Sequence, residues 1–319
     1  MDQYDVAIVG GGPAGLSAAL VLGRCRRRVI VFDHGHGRNY AAVEMHGYLG
    51  HDGIPPSKLR ELGRQEGRKY GVEYVDAEVD RVCLCGEGAS LYELACEGRR
   101  PVRARKLLLA TGVRDELPDI ENFREFYGRT AHHCPYCDGW EHRDERLAAV
   151  GEGKEAVGLA LSLRTWSDRV TACIAGEPVS DQDCERAQRN GIKIHDGVPV
   201  RMEGRDGRLE RLCFEKGPPL ECDALFFSST PKQRSRLPLM LGCECDERGM
   251  ILTERKQGAG VCGLFLAGDA DGDVQFAIVA AAEGAIAATA INRELQDEDR
   301  GDAAPPEKVD LPEGVCVKE

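Results

Sequence analysis

Apolar runs bounded by glycine recur along the chain in a fixed order. Near the amino terminus, an apolar run at residues 6–9 meets a glycine-rich turn at residues 10–15, and a small-residue helical stretch follows through Leu22. A second apolar run, at residues 29–32, comes next. Continuous apolar runs of this length are typical of strands buried in a parallel sheet. The pattern therefore predicts a strand, a turn, a helix and a second strand.

The same order returns near the middle of the chain. The apolar run at residues 147–150 meets a turn at residues 151–156, a helical stretch extends to Leu163, and an apolar run follows at residues 170–174. Two such units in one chain predict an α/β fold with two doubly wound, Rossmann-like dinucleotide-binding domains. The length of 319 residues agrees with two domains.

A third apolar strand is predicted at residues 263–267, where Gly268 and Asp269 end it. A long alanine-rich helix is predicted to follow, from about Gln275 to Leu295. The final stretch, from residue 296, is charged and contains three prolines. This composition predicts a tail or arm rather than a packed element.

Acidic residues outnumber basic ones. The chain contains 42 Lys and Arg against 54 Asp and Glu, a formal net charge of −12. Because such a surface repels phosphate groups, the balance argues against a nucleic-acid partner and against binding to an anionic membrane. We therefore interpret the short basic run at residues 24–28 as a solvated helix end.

The sequence shows neither the pattern of a membrane span nor that of a leader. The longest apolar stretch, residues 276–290, contains Glu283 and is too short to cross a bilayer. The first predicted strand begins within a few residues of Met1, which leaves no room for a signal peptide. We therefore expect a cytoplasmic protein.

A cytoplasmic location implies that most of the 14 cysteines are reduced. We interpret Cys83/Cys85 and Cys243/Cys245, each pair spaced by one residue, as buried thiols. Cys316, near the carboxyl terminus, could relay electrons or block the site on a flexible arm. We favour the simpler interpretation of an exposed cysteine without a special role.

The first glycine turn has the residues that a dinucleotide requires. Gly10, Gly12 and Gly15 form a Gly-x-Gly-x-x-Gly motif between a predicted strand and a predicted helix. The glycines allow a tight turn, close approach of a pyrophosphate and close helix–strand packing, and the helix N-terminus attracts the phosphates. Asp33, at the end of the next strand, has the spacing of a carboxylate that binds ribose hydroxyls.

Cys134 and Cys137 lie in a Cys-Pro-Tyr-Cys sequence, which we interpret as the chemical centre. Two intervening residues let the sulfurs form a small disulfide ring that opens reversibly. A charged His132 or His133 would lower the pKa of the attacking thiol. Asp138, directly after the second cysteine, is a candidate acid/base group for the thiol that gains or loses a proton.

Two other interpretations of the Cys134–Cys137 pair exist. A zinc site needs four ligands, and the pair with one histidine supplies three at most, so no metal site is predicted. Two ordinary core cysteines are common at this spacing. The position of the pair just before the second glycine turn, in a chain with a dinucleotide motif, favours redox chemistry.

Together these motifs give the chain a likeness to a known family. It resembles the low-molecular-weight thioredoxin reductases, flavoproteins in which a nicotinamide-type domain interrupts an FAD domain. Its Cys-Pro-Tyr-Cys-Asp-Gly-Trp-Glu sequence is similar to a divergent branch that includes dithiol oxidases of the gliotoxin and holomycin type and deeply rooted reductase-like proteins. The matching motifs are Gly10-x-Gly12-x-x-Gly15, Ala110-Thr111-Gly112, Cys134-x-x-Cys137-Asp138-Gly139, Gly151-x-Gly153-x-x-Ala156, and Gly268-Asp269 followed by Gln275.

The resemblance implies FAD as the cofactor and assigns roles around it. Asp33 would bind the ribose, Asp269 would lie near the ribityl–pyrophosphate region, and Gln275 would lie near the isoalloxazine. Cys137 would exchange electrons with the flavin, and Cys134 would attack the external disulfide. The residues implied in FAD binding are Gly10, Gly12, Pro13, Ala14, Gly15, Asp33, Ala110, Thr111, Gly112, Gly268, Asp269, Gln275 and Phe276.

The resemblance also implies the domain arrangement. A discontinuous FAD-binding domain would comprise residues 1–117 and 246–319, with a tail from about residue 296. Residues 118–245 would form an inserted NAD(P)-type domain that carries the redox cysteines. Family members are usually homodimers, so we expect a homodimer.

The inserted domain departs from the family pattern where a nicotinamide cofactor would bind. Members that use NADPH carry a His-Arg-Arg run and a further Arg, which hold the 2′-phosphate. The matching residues here are 171–177, ending in Glu177, with Asp181 and Asp183 shortly after. Because acids would repel the phosphate, we do not expect efficient use of NADPH.

The second glycine turn, at Gly151, Gly153 and Ala156, therefore has several interpretations. NADH could bind there with Glu177 on its ribose, another donor could reduce the flavin, or thiols could reduce the flavin and oxygen reoxidise it. The turn also suits strand–helix packing in a domain that no longer binds a nucleotide.

The sequence as a whole predicts an FAD-dependent thiol–disulfide oxidoreductase. Electrons would pass between the flavin and the Cys134–Cys137 disulfide, and on to a protein disulfide such as that of thioredoxin. The alternatives are an oxygen-dependent oxidase of small dithiols and a flavin redox sensor that turns over slowly. Tyr136 and Trp140, beside the pair, suit a partner groove or a flavin shield, and equally well core packing.

Overall fold

The structure of the protein is a computed structural model that describes residues 2–85, 91–176, 178–254, 256–302 and 316–318. Glu177, the residue considered for the ribose of NADH, lies outside the described residues, as do the three prolines of the predicted tail.

Short strands and helices alternate through the chain. The strands are β1 (Gln3–Val9), β2 (Val29–Phe32), β3 (Glu73–Val75), β4 (Arg81–Cys85), β5 (Leu91–Ala95), β6 (Val102–Leu109), β7 (Val113–Arg114), β8 (Ala131–His132), β9 (Leu147–Gly151), β10 (Val170–Ile174), β11 (Lys193–His195), β12 (Pro199–Arg205), β13 (Arg208–Phe214), β14 (Leu220–Glu221), β15 (Ala224–Phe227), β16 (Lys232–Gln233), β17 (Leu264–Leu266) and β18 (Val317–Lys318).

The helices are α1 (Pro13–Arg24), α2 (Pro56–Arg68), α3 (Phe123–Phe126), α4 (Pro135–Asp138), α5 (Gly153–Leu163), α6 (Asp181–Arg189), α7 (Leu237–Met240) and α8 (Ala277–Arg300), with a 3₁₀ turn at Asp269–Asp271. Both predicted strand–turn–helix units form, as β1–α1–β2 and β9–α5–β10. No helix in the described part of the chain is long and apolar enough to cross a membrane.

The largest sheet holds both ends of the described chain. Its strand order is β18-β4-β5-β6-β1-β2-β3, and β17 lies beside the second half of β6. β1 pairs in parallel with β2 and β6, and β17 pairs in parallel with β6. Since the carboxyl ends of parallel strands meet at one edge, the residues that follow β1, β2, β6 and β17 come together there.

A second, wholly parallel sheet forms the inserted unit. Its strand order is β11-β10-β9-β15-β8, and an antiparallel sheet of β12, β13 and β14 packs against it. Apolar side chains cover both faces of each parallel sheet. The prediction of an α/β fold with two doubly wound domains, the second inserted in the first, is confirmed.

The chain passes between the two units through a short ribbon. β7 leads into the inserted unit and β16 leads back, and the two strands pair in antiparallel fashion. Leu237 and Leu241, beyond β16, pack in the core of the first sheet, whereas Leu117 packs against the core of the second. The boundaries at 117/118 and 245/246 stay a prediction. We propose that the ribbon, at residues 113–114 and 232–233, marks the domain boundaries better.

Helices α1 and α8 cross on one face of the first sheet with their backbones in contact. A Cβ atom added to Gly284 would lie 2.0 Å from the carbonyl oxygen of Ala14, so only glycine fits at this crossing. Ala18 and Ala287 pack in the same core. The small residues of the two helices therefore bring the first glycine turn close to the turn that precedes α8.

The end of the chain differs from the prediction of a tail from residue 296. Helix α8 continues to Arg300, and Arg27 of the basic run binds Asp299 near its end at 2.7 Å instead of being merely solvated. Residues 317–318 form β18, which pairs in parallel with the edge strand β4. The prediction of an unpacked tail is wrong for both of its described parts.

The cysteine predictions need two corrections. Cys316 forms a disulfide with Cys83, because pairing of β18 with β4 places the two residues side by side. Neither a reduced thiol at Cys83 nor an isolated exposed cysteine at Cys316 is observed. Cys245 is exposed, contrary to expectation, whereas Cys243 is buried as predicted.

Candidate active site

The first glycine turn is packed tightly on one side and open on the other. Gly10 has a φ of +116°, and a Cβ there would lie 2.0 Å from the carbonyl oxygen of Ala110. A Cβ on Gly15 would lie 1.9 Å from the carbonyl oxygen of Gly10. A Cβ on Gly12, in contrast, would meet no described atom within 4 Å. Two glycines therefore shape the turn, and the third leaves free space at the N-terminus of α1.

Asp33, directly after β2, is buried beside this turn and is bound by two arginines. Arg60 and Arg64 of α2 donate to its Oδ2 atom at 2.6 and 2.9 Å. Burial alone would raise the pKa of Asp33, but the hydrogen bonds and charges of the two arginines outweigh it and hold the pKa below its ordinary value. The carboxylate is therefore charged and fixed in orientation.

Cys134 and Cys137 form a disulfide at the carboxyl end of β8. The short helix α4 begins directly after Cys134, and the amide of Cys137 donates to the carbonyl of Cys134 at 3.2 Å. The proline after Cys134 suits the first position of a helix, where its missing N–H costs nothing. One helical turn thus brings the two sulfurs within bonding distance.

An elongated cleft joins the disulfide to the glycine turn. Its empty volume is about 1560 Å³, part of it open to solvent. Most of the predicted site residues line it, whereas Gly15 lies beneath the turn and does not. The predicted residues that line the cleft are Gly10, Gly12, Pro13, Ala14, Asp33, Ala110, Thr111, Gly112, Cys134, Cys137, Asp138, Gly268, Asp269, Gln275 and Phe276.

Arg38, in the loop after β2, connects the walls of this cleft. It forms two hydrogen bonds of 2.7 Å to Asp115 and reaches Asp269 at 3.0 Å and Gln275 at 2.6 Å. Burial would raise the pKa of Asp115, but the bonds to Arg38 hold it below its ordinary value. Arg38 therefore fixes two of the predicted cofactor-binding side chains.

The two histidines before the redox pair differ in their surroundings. His133 lines the cleft with its Nε2 atom 3.7 Å from Asp115. Burial, together with the charge of Arg38, lowers the pKa of His133 despite that carboxylate, so the ring is neutral at pH 7. It does not supply the positive charge expected beside the thiols. His132 is buried on the other side, with its Nδ1 atom 3.2 Å from Oδ1 of Asp138.

The second glycine turn is occupied by packing. A Cβ on Gly151 would lie 2.5 Å from the hydroxyl of Ser228 and 3.1 Å from the amide of Ala156. The Glu152 side chain lies over the neighbouring turn, 3.3 Å from where a Cβ of Gly176 would be. Gly151, Gly153 and Ala156 do not line the cleft that contains the disulfide.

Tyr136 and Trp140 are exposed, so core packing does not explain them. Tyr136 is 73% exposed and presents its edge to Trp166 and Phe276, with ring centroids 5.6 and 6.3 Å away. Trp140 is 64% exposed and lies under the guanidinium of Arg143. The segment that contains the redox pair therefore carries two exposed aromatic rings.

Sequence reasoning missed several residues of this site. Arg38 and Asp115 lie in irregular segments without a motif, and His142 and Glu145 reach the site only because the chain turns back after α4. A sequence signal exists only for His142, which follows the Cys-Pro-Tyr-Cys sequence closely in a chain with few histidines.

The chain is similar to known proteins over most of its length. The sequence profile of the family described as pyridine nucleotide-disulphide oxidoreductase matches residues 4–284. A relative named thioredoxin reductase tcpT, from Claviceps purpurea, is 34% identical, over 83% of this chain and 86% of its own length.

Two solved structures superpose closely. The crystal structure of HlmI has a TM-score of 0.90 and 36% sequence identity, and the match covers 94% of each chain. The crystal structure of the oxidoreductase from Agrobacterium tumefaciens has a TM-score of 0.84 and 29% identity, covering 93% of this chain and 99% of the other.

Proposed function

The chain belongs to the pyridine nucleotide-disulphide oxidoreductase family and is an oxidoreductase similar to thioredoxin reductases, and we propose that it is an FAD-dependent thiol–disulfide oxidoreductase. Electrons pass between the flavin and the Cys134–Cys137 disulfide, and from there to an external disulfide. The observation that carries this proposal is that the disulfide and the glycine turn line one continuous cleft.

The residues of the cleft fit FAD. Gly12 leaves room for a pyrophosphate at the N-terminus of α1, and helix N-termini attract phosphate groups. The hydroxyl of Thr111 is buried beside the cleft without a hydrogen-bond partner among the described residues, so a ligand can satisfy it. Asp33 would bind the ribose, and Asp269 and Gln275 would hold the ribityl and ring ends. When bound, FAD supplies the two-electron exchange that reduces or re-forms the disulfide.

The cysteines carry the exchange with the external partner. In the reduced protein, the Cys134 thiolate attacks the external disulfide, a mixed disulfide forms, and the first partner sulfur leaves as a thiolate that takes a proton from Asp138. The Cys137 thiolate then attacks the sulfur of Cys134. The second partner sulfur leaves as a thiolate that takes a proton from water, and the internal disulfide closes. Both electrons that the cysteines lose are gained by the partner.

Two features of the inserted unit support an electron donor other than NADPH. Gly151 packs against Ser228 and Ala156, and the acidic Glu152 lies over the adjacent turn. A 2′-phosphate would meet negative charge there. Electrons would then come from NADH or from another donor.

The same features favour a second candidate, oxidation of small dithiols with oxygen as the final acceptor. In that direction a substrate thiolate attacks Cys134 and Cys137 leaves as the thiolate. The second substrate thiolate then attacks the first substrate sulfur, which closes the substrate disulfide and releases Cys134 as a thiolate. The exposed rings of Tyr136 and Trp140 beside the pair suit a small apolar dithiol as well as a protein partner.

Anaerobic titration of the purified protein tests the proposal and separates the two directions. Flavin absorbance is followed while NADPH, NADH and dithiothreitol are added separately to the wild type and to Cys137→Ser. Bleaching of the wild type by NADH, retained in Cys137→Ser, supports a reductase. Bleaching by dithiothreitol alone, lost in Cys137→Ser, supports the oxidase, and peroxide should form when air is admitted. Rapid bleaching by NADPH contradicts the interpretation of the inserted unit, and a protein without flavin contradicts the proposal.

We further propose a cytoplasmic homodimer whose partner is a thioredoxin-like protein or a small dithiol or disulfide. The acidic net charge of −12 supports a protein that binds neither nucleic acid nor an anionic membrane. Light scattering of the holoprotein tests the dimer, because a single-chain mass would contradict it.

A further inference from the structure

A chain of four titratable side chains leads from the redox site to the surface. Oδ1 of Asp138 lies 3.2 Å from Nδ1 of His132, Nε2 of His132 lies 3.0 Å from Nε2 of His142, and Nδ1 of His142 lies 2.8 Å from Oε2 of Glu145. Both histidines are buried, whereas the side chain of Glu145 is 41% exposed. The exchange described above uses only Asp138.

The partners of His132 determine where the protons lie. Its Nε2 atom is also 3.0 Å from the carbonyl oxygen of Arg129, and a carbonyl only accepts hydrogen bonds. Nε2 of His132 therefore carries a hydrogen, and Nε2 of His142 accepts. The hydrogen of His142 then lies on Nδ1 and is donated to the Glu145 carboxylate.

This arrangement fixes the protonation of the Asp138–His132 pair. With a hydrogen on Nε2, a neutral His132 presents a bare lone pair to Asp138, and an ionised Asp138 would add a second acceptor at 3.2 Å. Two facing acceptors are unfavourable, so one proton lies between them. Whichever atom holds it, the pair has no net charge and, as a pair, holds one proton that it can give to a leaving thiolate.

We propose that His132, His142 and Glu145 are positioning residues that form a proton relay between Asp138 and solvent. This inference rests on the proposed function. When a substrate thiol gives its proton to Asp138, the proton that the pair already shares lies on Nδ1 of His132. The Nε2 hydrogen of His132 then moves to Nε2 of His142, and the Nδ1 hydrogen of His142 moves to Glu145 and then to water. The reverse sequence starts from the tautomers that this outward transfer leaves, with Nδ1–H on His132 and Nε2–H on His142. It returns a proton to Asp138 and restores the tautomers that the Arg129 carbonyl favours.

The surroundings of the relay combine an apolar wall with a polar cavity. Phe226 covers both imidazoles, with ring centroids 5.4 and 6.1 Å away. On the cleft side, His133 is close enough to interact electrostatically with both Asp138 and His132. The charged and titratable groups that face the relay across the cavity are Glu44, His46, Arg129, Glu141, Asp206 and Arg208. Water in this cavity would give protons a second route to solvent. The test therefore compares substitution of Glu145 with substitution of another carboxylate.

The first arm of the test determines which ring nitrogens of His132 and His142 carry a hydrogen, and it needs no turnover. In protein labelled with ¹⁵N-histidine, assigned with His132→Gln and His142→Gln, we expect the Nε2–H tautomer for His132 and the Nδ1–H tautomer for His142 at pH 7. Observation of His142 as the Nε2–H tautomer would overturn the proposal.

The second arm measures dithiothreitol-driven flavin reduction between pH 6 and 9, in water and in deuterium oxide. Glu145→Gln keeps an acceptor for His142 but does not take up a proton. Glu141→Gln, in the cavity that His132 and His142 line, is the control. We expect Glu145→Gln to slow reduction by about tenfold, less than the ~10²–10⁴-fold that a general acid itself contributes, and to raise the solvent isotope effect. Equal behaviour of the two variants would overturn the relay. A wild-type flavin that no dithiol or nucleotide reduces, with the expected tautomers present, would instead contradict the proposed function.

Discussion

Arg38 and Asp115 form a two-bond ion pair beneath the cleft, with both bonds at 2.7 Å and the Asp115 side chain only 2% exposed. The pair ties the loop after β2 to the ribbon strand β7, and the remaining Arg38 nitrogen holds Asp269 and Gln275. The wall of the proposed flavin site therefore depends on one guanidinium and its buried partner.

Replacement of this partner should destabilise the protein and weaken the flavin site together. Removing one member of a buried ion pair typically costs ~3 kcal/mol, because the other charge stays buried without its partner. We therefore expect Asp115→Asn to lower the free energy of unfolding by about that amount and to reduce retained flavin. Denaturant unfolding and the ratio of flavin to protein absorbance measure the two effects.

The neighbouring residue Glu116 provides a matched control. It pairs with Lys232 at 2.9 Å, but both side chains are 53% exposed, and exposed pairs contribute little. Glu116→Gln should change the unfolding free energy by less than about 0.5 kcal/mol. Equal losses in both variants would contradict the structural role given to the Arg38–Asp115 pair.

Substitution of two glycines in the first turn should distinguish an effect on flavin binding from an effect on folding. A Cβ on Gly12 meets no described atom within 4 Å, but it would occupy the space given to the FAD pyrophosphate. Gly12→Ala should therefore fold with the thermal midpoint of the wild-type apoprotein and bind flavin weakly. Gly15→Ala places a Cβ 1.9 Å from a backbone oxygen and should lower the apoprotein midpoint as well. Wild-type flavin affinity in Gly12→Ala, measured by fluorescence titration, would contradict the placement of the pyrophosphate.

Glu283 makes the stability of the protein depend on pH. Burial, with the nearby acidic residues Asp271 and Asp273, raises the pKa of Glu283 to about 7, despite the hydrogen bond it accepts from the amide of Gly268. Because its folded pKa lies above its unfolded value, the stabilisation is complete below about pH 4.5 and is lost as the pH rises through 7.

The wild type should therefore lose about 1 kcal/mol of unfolding free energy through this group between pH 6 and 8. Glu283→Gln keeps the acceptor for the amide of Gly268 and should lack that loss. Urea unfolding at the two pH values measures it, with the exposed Glu125→Gln as control. A Glu283→Gln protein with the pH dependence of the wild type would show that Glu283 does not titrate in the folded protein in this range.

The Cys83–Cys316 disulfide should stabilise the protein when it is oxidised. It closes a loop of 233 residues, and disulfides over long loops typically contribute ~2–4 kcal/mol. Cys316→Ser should lower the thermal midpoint without reductant and match the wild type with it, whereas the exposed Cys245→Ser should have no effect. Non-reducing peptide mapping should link the peptides that contain Cys83 and Cys316. Free thiols at both positions in the air-oxidised protein would contradict the pairing.

Local patterns were sufficient to predict the elements that hold the site. The strands at residues 29–32 and 170–174 have the predicted bounds, because short, mostly apolar runs between turns are typical of buried strands. The glycine turn and the Cys-Pro-Tyr-Cys sequence could be recognised for a similar reason. In each of them, the residues that carry the function lie within a few positions of one another.

Contacts between distant segments could not be predicted in this way. The Cys83–Cys316 disulfide depends on β18 pairing with β4 across the whole chain, and the last residues carry no strand pattern. The Arg38–Asp115 pair joins two irregular segments. The approach of His132 to His142 depends on how the chain turns after α4, which spacing alone does not determine.

The central claim is that electrons pass between the bound flavin and the Cys134–Cys137 pair. Stopped-flow mixing of the anaerobic holoprotein with dithiothreitol tests it directly, with wild type, Cys134→Ser and Cys137→Ser compared at equal flavin content. The account predicts rapid loss of flavin absorbance in the wild type and at least about a hundredfold slower loss in both variants, because a single thiol does not form the internal disulfide. Equal rates in all three proteins would show that the flavin is reduced without these cysteines and would contradict the account.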